Sequence, residues 1–210
     1  MAVLIPRPSA HTARAFVFQL VTIIAGILIA LSIDGLLELN RQRAVVREAH
    51  DAIAFEITEN LRDLETTLPV LDAHERGLRD ALQFLEEMLS KGESNVQVQT
   101  RLSTPSLNRA SWQTADRTGA LGYMDYADVK EYSELYELQD LVVESQNQLI
   151  ARLPGLSLLS FMTAGGDPVR GRSQDVEAVR ARVIESIGAV TIHRTLALQL
   201  VDAYKQATSR

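Results

Sequence analysis

Between Arg14 and Asp34 the chain carries no charged residue, and the run Ala15 to Leu39, AFVFQLVTIIAGILIALSIDGLLEL, dictates what must surround it. An α-helix rises ~1.5 Å per residue and a hydrocarbon core is about 30 Å thick. Roughly twenty apolar residues therefore satisfy their own backbone groups while crossing it. The run predicts one transmembrane helix. A cleavable signal peptide is the rival reading, with Ala30-Leu31-Ser32 as a small-x-small cleavage site. The run exceeds the ~7–15 residues of a signal h-region, and Leu36, Leu37 and Leu39 carry the helical pattern straight on. A retained anchor is expected.

Within the anchor Thr22, Gly26 and Ala30 recur at every fourth position, and Asp34 continues the same ridge. Small residues at that spacing let two helix backbones approach, so these four positions are the predicted helix–helix interface and a homo-oligomer is expected. Gln19 and Asp34 are expected near opposite membrane interfaces, where water satisfies them. Arg7 and Arg14 flank one side, while Arg41, Arg43 and Arg47 flank the other, so the positive-inside rule discriminates little. Long segments translocate with little regard to charge, and the expected orientation is N-terminus inside with the soluble part across the membrane.

The remaining chain is written in helix-forming residues, with 11 glycines, 6 prolines and no cysteine among 210 residues. Without cysteine there is no disulfide, thiolate metal site or cysteine nucleophile. A formal net charge of −6 argues against a nucleic-acid partner, which calls for a basic face. The expectation is an all-α protein in three parts: a flexible tail over 1–14, the membrane helix over 15–39, and an antiparallel helical bundle domain over 40–210.

Val46, Ala49, Ile53, Ile57, Leu61, Leu64 and Leu68 follow at steps of three and four, so the anchor is expected to run on as a long amphipathic helix. Glu56, Glu59, Arg62 and Asp63 are assigned to its polar faces. Pro69 removes an amide donor and is expected to kink or break that helix. A second run then carries Leu71, Leu78, Leu82 and Leu85 to a stop at Gly92.

Residues 93–108 read as a loop, followed by a short helical piece around Trp112 and a turn at Gly119 to Gly122. The single tryptophan is expected to plug a core gap. Asp125 is the expected N-cap of a helix to about Leu153, whose acidic residues Asp125, Asp128, Glu131, Glu134, Glu137 and Asp140 form a drifting solvated stripe. The stretch Leu156 to Arg172 is glycine-rich but lacks the GK[ST] ending of a phosphate loop, and reads as a connection. Ser173 opens a final helix to about Ala207, in which His193 is expected to be a hydrogen-bonded core histidine.

The four histidines, His11, His50, His74 and His193, form no metal-ligand pattern, and no G-x-S-x-G elbow is present. No enzyme activity, metal or cofactor is expected. The run VTIIAGILIALSIDGLLELNRQRAVVREAHDAIAFEITENL, with Gly26 to Leu31, Asp34, Glu56-Ile57 and Asn60, resembles a group of uncharacterised bacterial single-pass membrane proteins. SWQTADRTGAL around Trp112 extends the likeness. The resemblance implies a bacterial inner-membrane location and no activity. The expected function is a membrane-anchored scaffold or interaction protein, whose partners are membrane lipid and a second copy or another membrane protein. The alternative is a periplasmic sensory or ligand-binding helical module working with a membrane partner.

Overall fold

The computed structural model describes residues 10–91, 101–156 and 173–209. Among the described residues there are four α-helices: α1 (Ala10–Lys91), α2 (Ala110–Arg117), α3 (Tyr126–Arg152) and α4 (Ser173–Thr208). Single 3-10 turns at Ala120–Tyr123 and Leu153–Leu156 flank α3, and no strand occurs among the described residues. The expected stop at Gly92, the connection over 157–172 and the first nine residues of the tail lie outside the described residues. Two compact units divide the chain, Met1–Glu48 and Ala49–Arg210, and α1 contributes to both.

In the first unit the helix is already formed at Ala10, which corrects the expectation of an irregular tail as far as Arg14. Pro8 is the last residue that disfavours helix there, and Ala10 and Ala13 are among the strongest helix formers. Every large apolar side chain from Phe16 to Leu39 is exposed within the chain, Phe18 at 75%. One helix is thus long and apolar enough to cross a membrane.

A strict seam holds the second unit together. In α1 the seam positions Ile53, Ile57, Asn60, Leu64, Thr67, Leu71, His74, Leu78, Ala81 and Leu85 are buried at alternating steps of four and three, with Glu56, Gly77 and Phe84 buried beside them. In α4 Val176, Val179, Val183, Ser186, Val190, His193, Ala197, Leu200 and Tyr204 are buried on the same alternation, with Val201 beside them. A 3.5-residue period keeps the stripe facing its partner when helices supercoil left-handedly. The apolar centre joins Leu71, Leu78, Leu85, Leu149, Val179, Val183 and Val190.

Surface ion pairs flank this seam and report its direction. Glu65 meets Lys205 at 2.8 Å, Asp72 meets Arg194 at 2.6 Å, and Glu86 meets Arg180 at 3.6 Å, so α4 runs antiparallel to α1. Helix α4 is antiparallel to α3 as well, because Gln139 meets Tyr204 and Ser145 meets His193. Between α1 and α3 the order is parallel: His50 lies beside Tyr132, Glu56 beside Tyr136 and Asn60 beside Gln139. The antiparallel relation of the bundle therefore belongs to α4 against each of the others. The chain returns between the two parallel helices through residues 101–109 and α2.

Pro69 does not break α1, which continues to Lys91, so of the expected kink or break the break is corrected. Proline in a helix interior costs one hydrogen bond and a clash with the carbonyl four residues earlier, about 3 kcal/mol or more. Pro69 faces solvent, while Thr67 and Leu71 on either side are locked in the seam, so packing outweighs the local penalty.

Helix α2 ends where Gly119 adopts φ 76°, a left-handed conformation that costs glycine no Cβ clash. Asp125 occupies the N-cap position of α3 without a side-chain capping bond, and its carbonyl accepts Val129 N at 3.1 Å to close the first turn.

Candidate functional site

The polar residues buried in the seam are not scattered. Three of them, Asn60 on α1, Gln139 on α3 and Tyr204 on α4, share one layer of the bundle, each at 1% exposure or less. Tyr204 Oη donates to Gln139 Oε1 at 2.6 Å, and Asn60 Nδ2 lies 3.5 Å from both Gln139 Oε1 and Tyr204 Oη.

One turn earlier on α1, Glu56 is also buried, with only 6% of its surface exposed. Its assignment to a polar face is corrected here. Tyr136 Oη donates to Glu56 Oε1 at 2.6 Å and the Ser111 amide donates to Oε2 at 2.8 Å. No ion pair reaches this carboxylate among the described residues, so hydrogen bonds alone stand in for its lost hydration.

These side chains also bind the returning segment by its main chain. Asn60 Nδ2 donates to the Asn108 carbonyl at 2.7 Å and Asn60 Oδ1 accepts the Asn108 amide at 2.8 Å. Gln139 Nε2 donates to the same Asn108 carbonyl at 2.9 Å. Asp63 Oδ2 accepts the Ser106 amide at 2.6 Å. Glu56, Asn60 and Asp63 lie four and three residues apart, on one side of α1. They supply side-chain partners to an irregular segment whose backbone groups have no helix or sheet of their own.

A row of aromatic rings begins at Tyr136. Trp112 stacks on Tyr136 with ring centroids 5.4 Å apart and planes 18° from parallel, and meets Tyr132 edge-on at 6.3 Å. Trp112 is half-buried against Tyr136 and Tyr132, where a plug in a core gap was expected. Tyr132 continues the row to His50, whose Nδ1 is 3.0 Å from Tyr132 Oη and whose Nε2 is 3.5 Å from Asp128 Oδ2.

Burial, then the hydrogen bond to Glu56 and the charge of that carboxylate, push the Tyr136 phenol well above its ordinary range. Tyr204 is pushed the same way, chiefly by burial, against the opposing effect of its hydrogen bond from Asn60. Both phenols remain donors at neutral pH.

The predicted interface residues Thr22, Gly26, Ala30 and Asp34 lie in the other unit, each exposed along α1. Thr22 Oγ1 donates to the Phe18 carbonyl at 2.9 Å, so its hydroxyl is satisfied within its own helix. A Cβ built on Gly26 meets nothing within 4 Å in the single chain.

His193 is a hydrogen-bonded core histidine, with Nδ1 2.8 Å from Ser145 Oγ. It borders a cavity of about 10 Å³ shared with Thr67, Leu71, Ser103 and Pro105, room for one water. No group of three or more histidines and carboxylates is placed to hold a metal among the described residues. The acidic stripe of α3 is largely solvated and spent on separate local partners, with Asp140 held by Arg109 and Glu134 by Lys130.

Sequence reasoning placed Glu56 on a polar face, named Asn60 only within the resemblance to the single-pass group, and missed the burial of both. The signal that could have found Asn60 is the 3.5-residue seam itself, which passes through Asn60, Thr67 and His74; Glu56 lies beside that seam and carries no such signal.

The fold and the network define an all-helical bundle protein carrying one helix that could cross a membrane. No family model, curated protein or solved structure matches the chain.

Proposed function

We propose that this chain is a membrane-anchored helical scaffold or interaction protein that oligomerises through its anchor. The observation that carries the reading is the exposed apolar helix surface from Phe16 to Leu39, none of it buried among the described residues. Lipid is the solvent such a surface requires, and a helix in lipid associates through small residues that admit close packing. Gly26 provides that opening, flanked one turn away on either side by Thr22 and Ala30. The likeness of the N-terminal run to bacterial single-pass proteins supports an inner-membrane location; the bundle is assigned to the periplasmic side because long segments translocate with little regard to charge. The bundle supplies the surface for a protein partner. The ligand-binding alternative gains no support from the cavity beside His193, which is too small for a metabolite.

The test has two arms. Alkaline carbonate washing should leave the full chain with the membrane fraction, and its release would sink the anchor. In a blue-native gel, Gly26→Ile should shift the oligomer to monomer. Because the added side chain finds open space in the single chain, a loss of assembly reports on a neighbouring helix. An unchanged oligomer would remove this ridge as the interface.

A further inference from the structure

The seam of the bundle contains two buried imidazoles on helices that face each other. His74 on α1 is 2% exposed, and neither ring nitrogen has a hydrogen-bond partner among the described residues. Its seam neighbours are Leu71 and Leu78, members of the apolar centre. His193 on α4 is 2% exposed, and its Nδ1 faces Ser145 Oγ. That hydroxyl has one proton, which it donates to the Val142 carbonyl at 2.7 Å, so Nδ1–H of His193 is the donor of the bond to Ser145 in the neutral ring.

Among the described residues no carboxylate forms an ion pair with either ring. On α1, Asp72 is engaged by Arg194 and Glu75 by Arg79. On α4, Arg194 and Arg180 are the neighbouring charges, and Arg180 pairs with Glu86 and Glu177. On α3, Glu144 accepts from Gln148, and residues 101–109 contribute Arg101 and Arg109, the latter on Asp140. Burial is the sole cause that lowers the His74 imidazole from its ordinary value of 6.5. Burial also lowers His193, against the hydrogen bond to Val142.

We propose that His74 and His193 make the α1–α4 seam an acid-sensitive latch, closed while both rings are neutral and loosened when they take up protons. Protonated His74 would place an unpaired charge among leucines and valines, and protonated His193 would add a second donor beside a cavity with room for one water. The unfolded chain binds these protons near pH 6.5 and the folded bundle resists them. Stability is therefore complete above that pH and falls as the pH drops below it. The latch does not depend on the anchor reading.

The experiment uses the full chain in detergent micelles. Deuterium exchange at the histidine C2 positions, read by mass spectrometry across pH, gives the titration of each ring. Thermal melts followed by circular dichroism at pH 7.5 and 5.0 give the consequence. The unaltered chain should melt about 5 °C lower or more at pH 5.0, and the double variant His74→Leu with His193→Gln should lose most of that drop. An equal drop in the double variant overturns the latch, as does a melt that is the same at both pH values in the unaltered chain. Should the variant fail to fold, the ring titrations decide alone. Rings that titrate at or above the ordinary value overturn the latch, and rings held below it support it.

Discussion

Removing the Tyr136 hydroxyl isolates the buried carboxylate without changing the shape of the core. In Tyr136→Phe, Glu56 Oε1 loses its 2.6 Å donor while Oε2 keeps the Ser111 amide, and both oxygens stay in a residue only 6% exposed. A hydrogen bond to a charged group contributes about 1.5–3 kcal/mol, and leaving a buried acceptor unsatisfied costs at the upper end of that range. Glu56→Gln keeps the volume and can still accept from Ser111, while its amide offers Tyr136 Oη a donor, so a smaller loss of ~1 kcal/mol is expected. The double variant should cost less than the sum, with a coupling energy of about 1–2 kcal/mol. Chemical denaturation of the full chain in micelles measures this, followed by circular dichroism and by the fluorescence of the only tryptophan. Trp112 stacks directly on Tyr136 and reports locally. A loss below about 0.5 kcal/mol in Tyr136→Phe, together with zero coupling, would refute the view that this bond compensates burial of the carboxylate.

Two further outcomes follow from the same geometry. Both buried phenols have pKa values raised above the ordinary 10.0, so the stability they contribute is complete below pH 10 and lost as the pH rises beyond it. Alkaline melts should show Tyr136→Phe and Tyr204→Phe less sensitive to that rise than the unaltered chain, and equal sensitivity would contradict the assignment. Replacing the side chains that hold the returning segment, as Asn60→Ala with Asp63→Ala, removes its contacts at Asn108 and Ser106. Tryptic cleavage after Arg101 and Arg109 should then accelerate severalfold while the helical signal is kept, and unchanged cleavage would show the segment is held by other means.

Much was legible from one-dimensional pattern alone. The uncharged run from Ala15 to Ile33 announces a membrane-length apolar helix, because length and composition act locally and need no partner. The ends of α3 and α4 were readable within a residue or two, since Asp125, Pro154-Gly155 and Ser173 punctuate the chain where the helices begin or end. Other features depended on neighbours. The apolar series through Leu61 and Leu68 followed hydrophobicity, but those residues are half-buried flanks, and the seam passes instead through Asn60, Thr67 and His74. A polar residue reveals that it is buried only when its hydrogen-bond partners are in view.

Sequence by itself therefore determined the all-helical class, the exposed apolar helix and most helix ends, since these rest on intrachain propensity and on the solvent each face demands. Tertiary structure decided three things that involve residues far apart in the chain. Packing in the seam carried α1 through Pro69. The return of residues 101–109 set α1 and α3 parallel. Glu56 became an interior acceptor only because Tyr136 and the Ser111 amide, eighty and fifty-five residues away, arrive to replace its water.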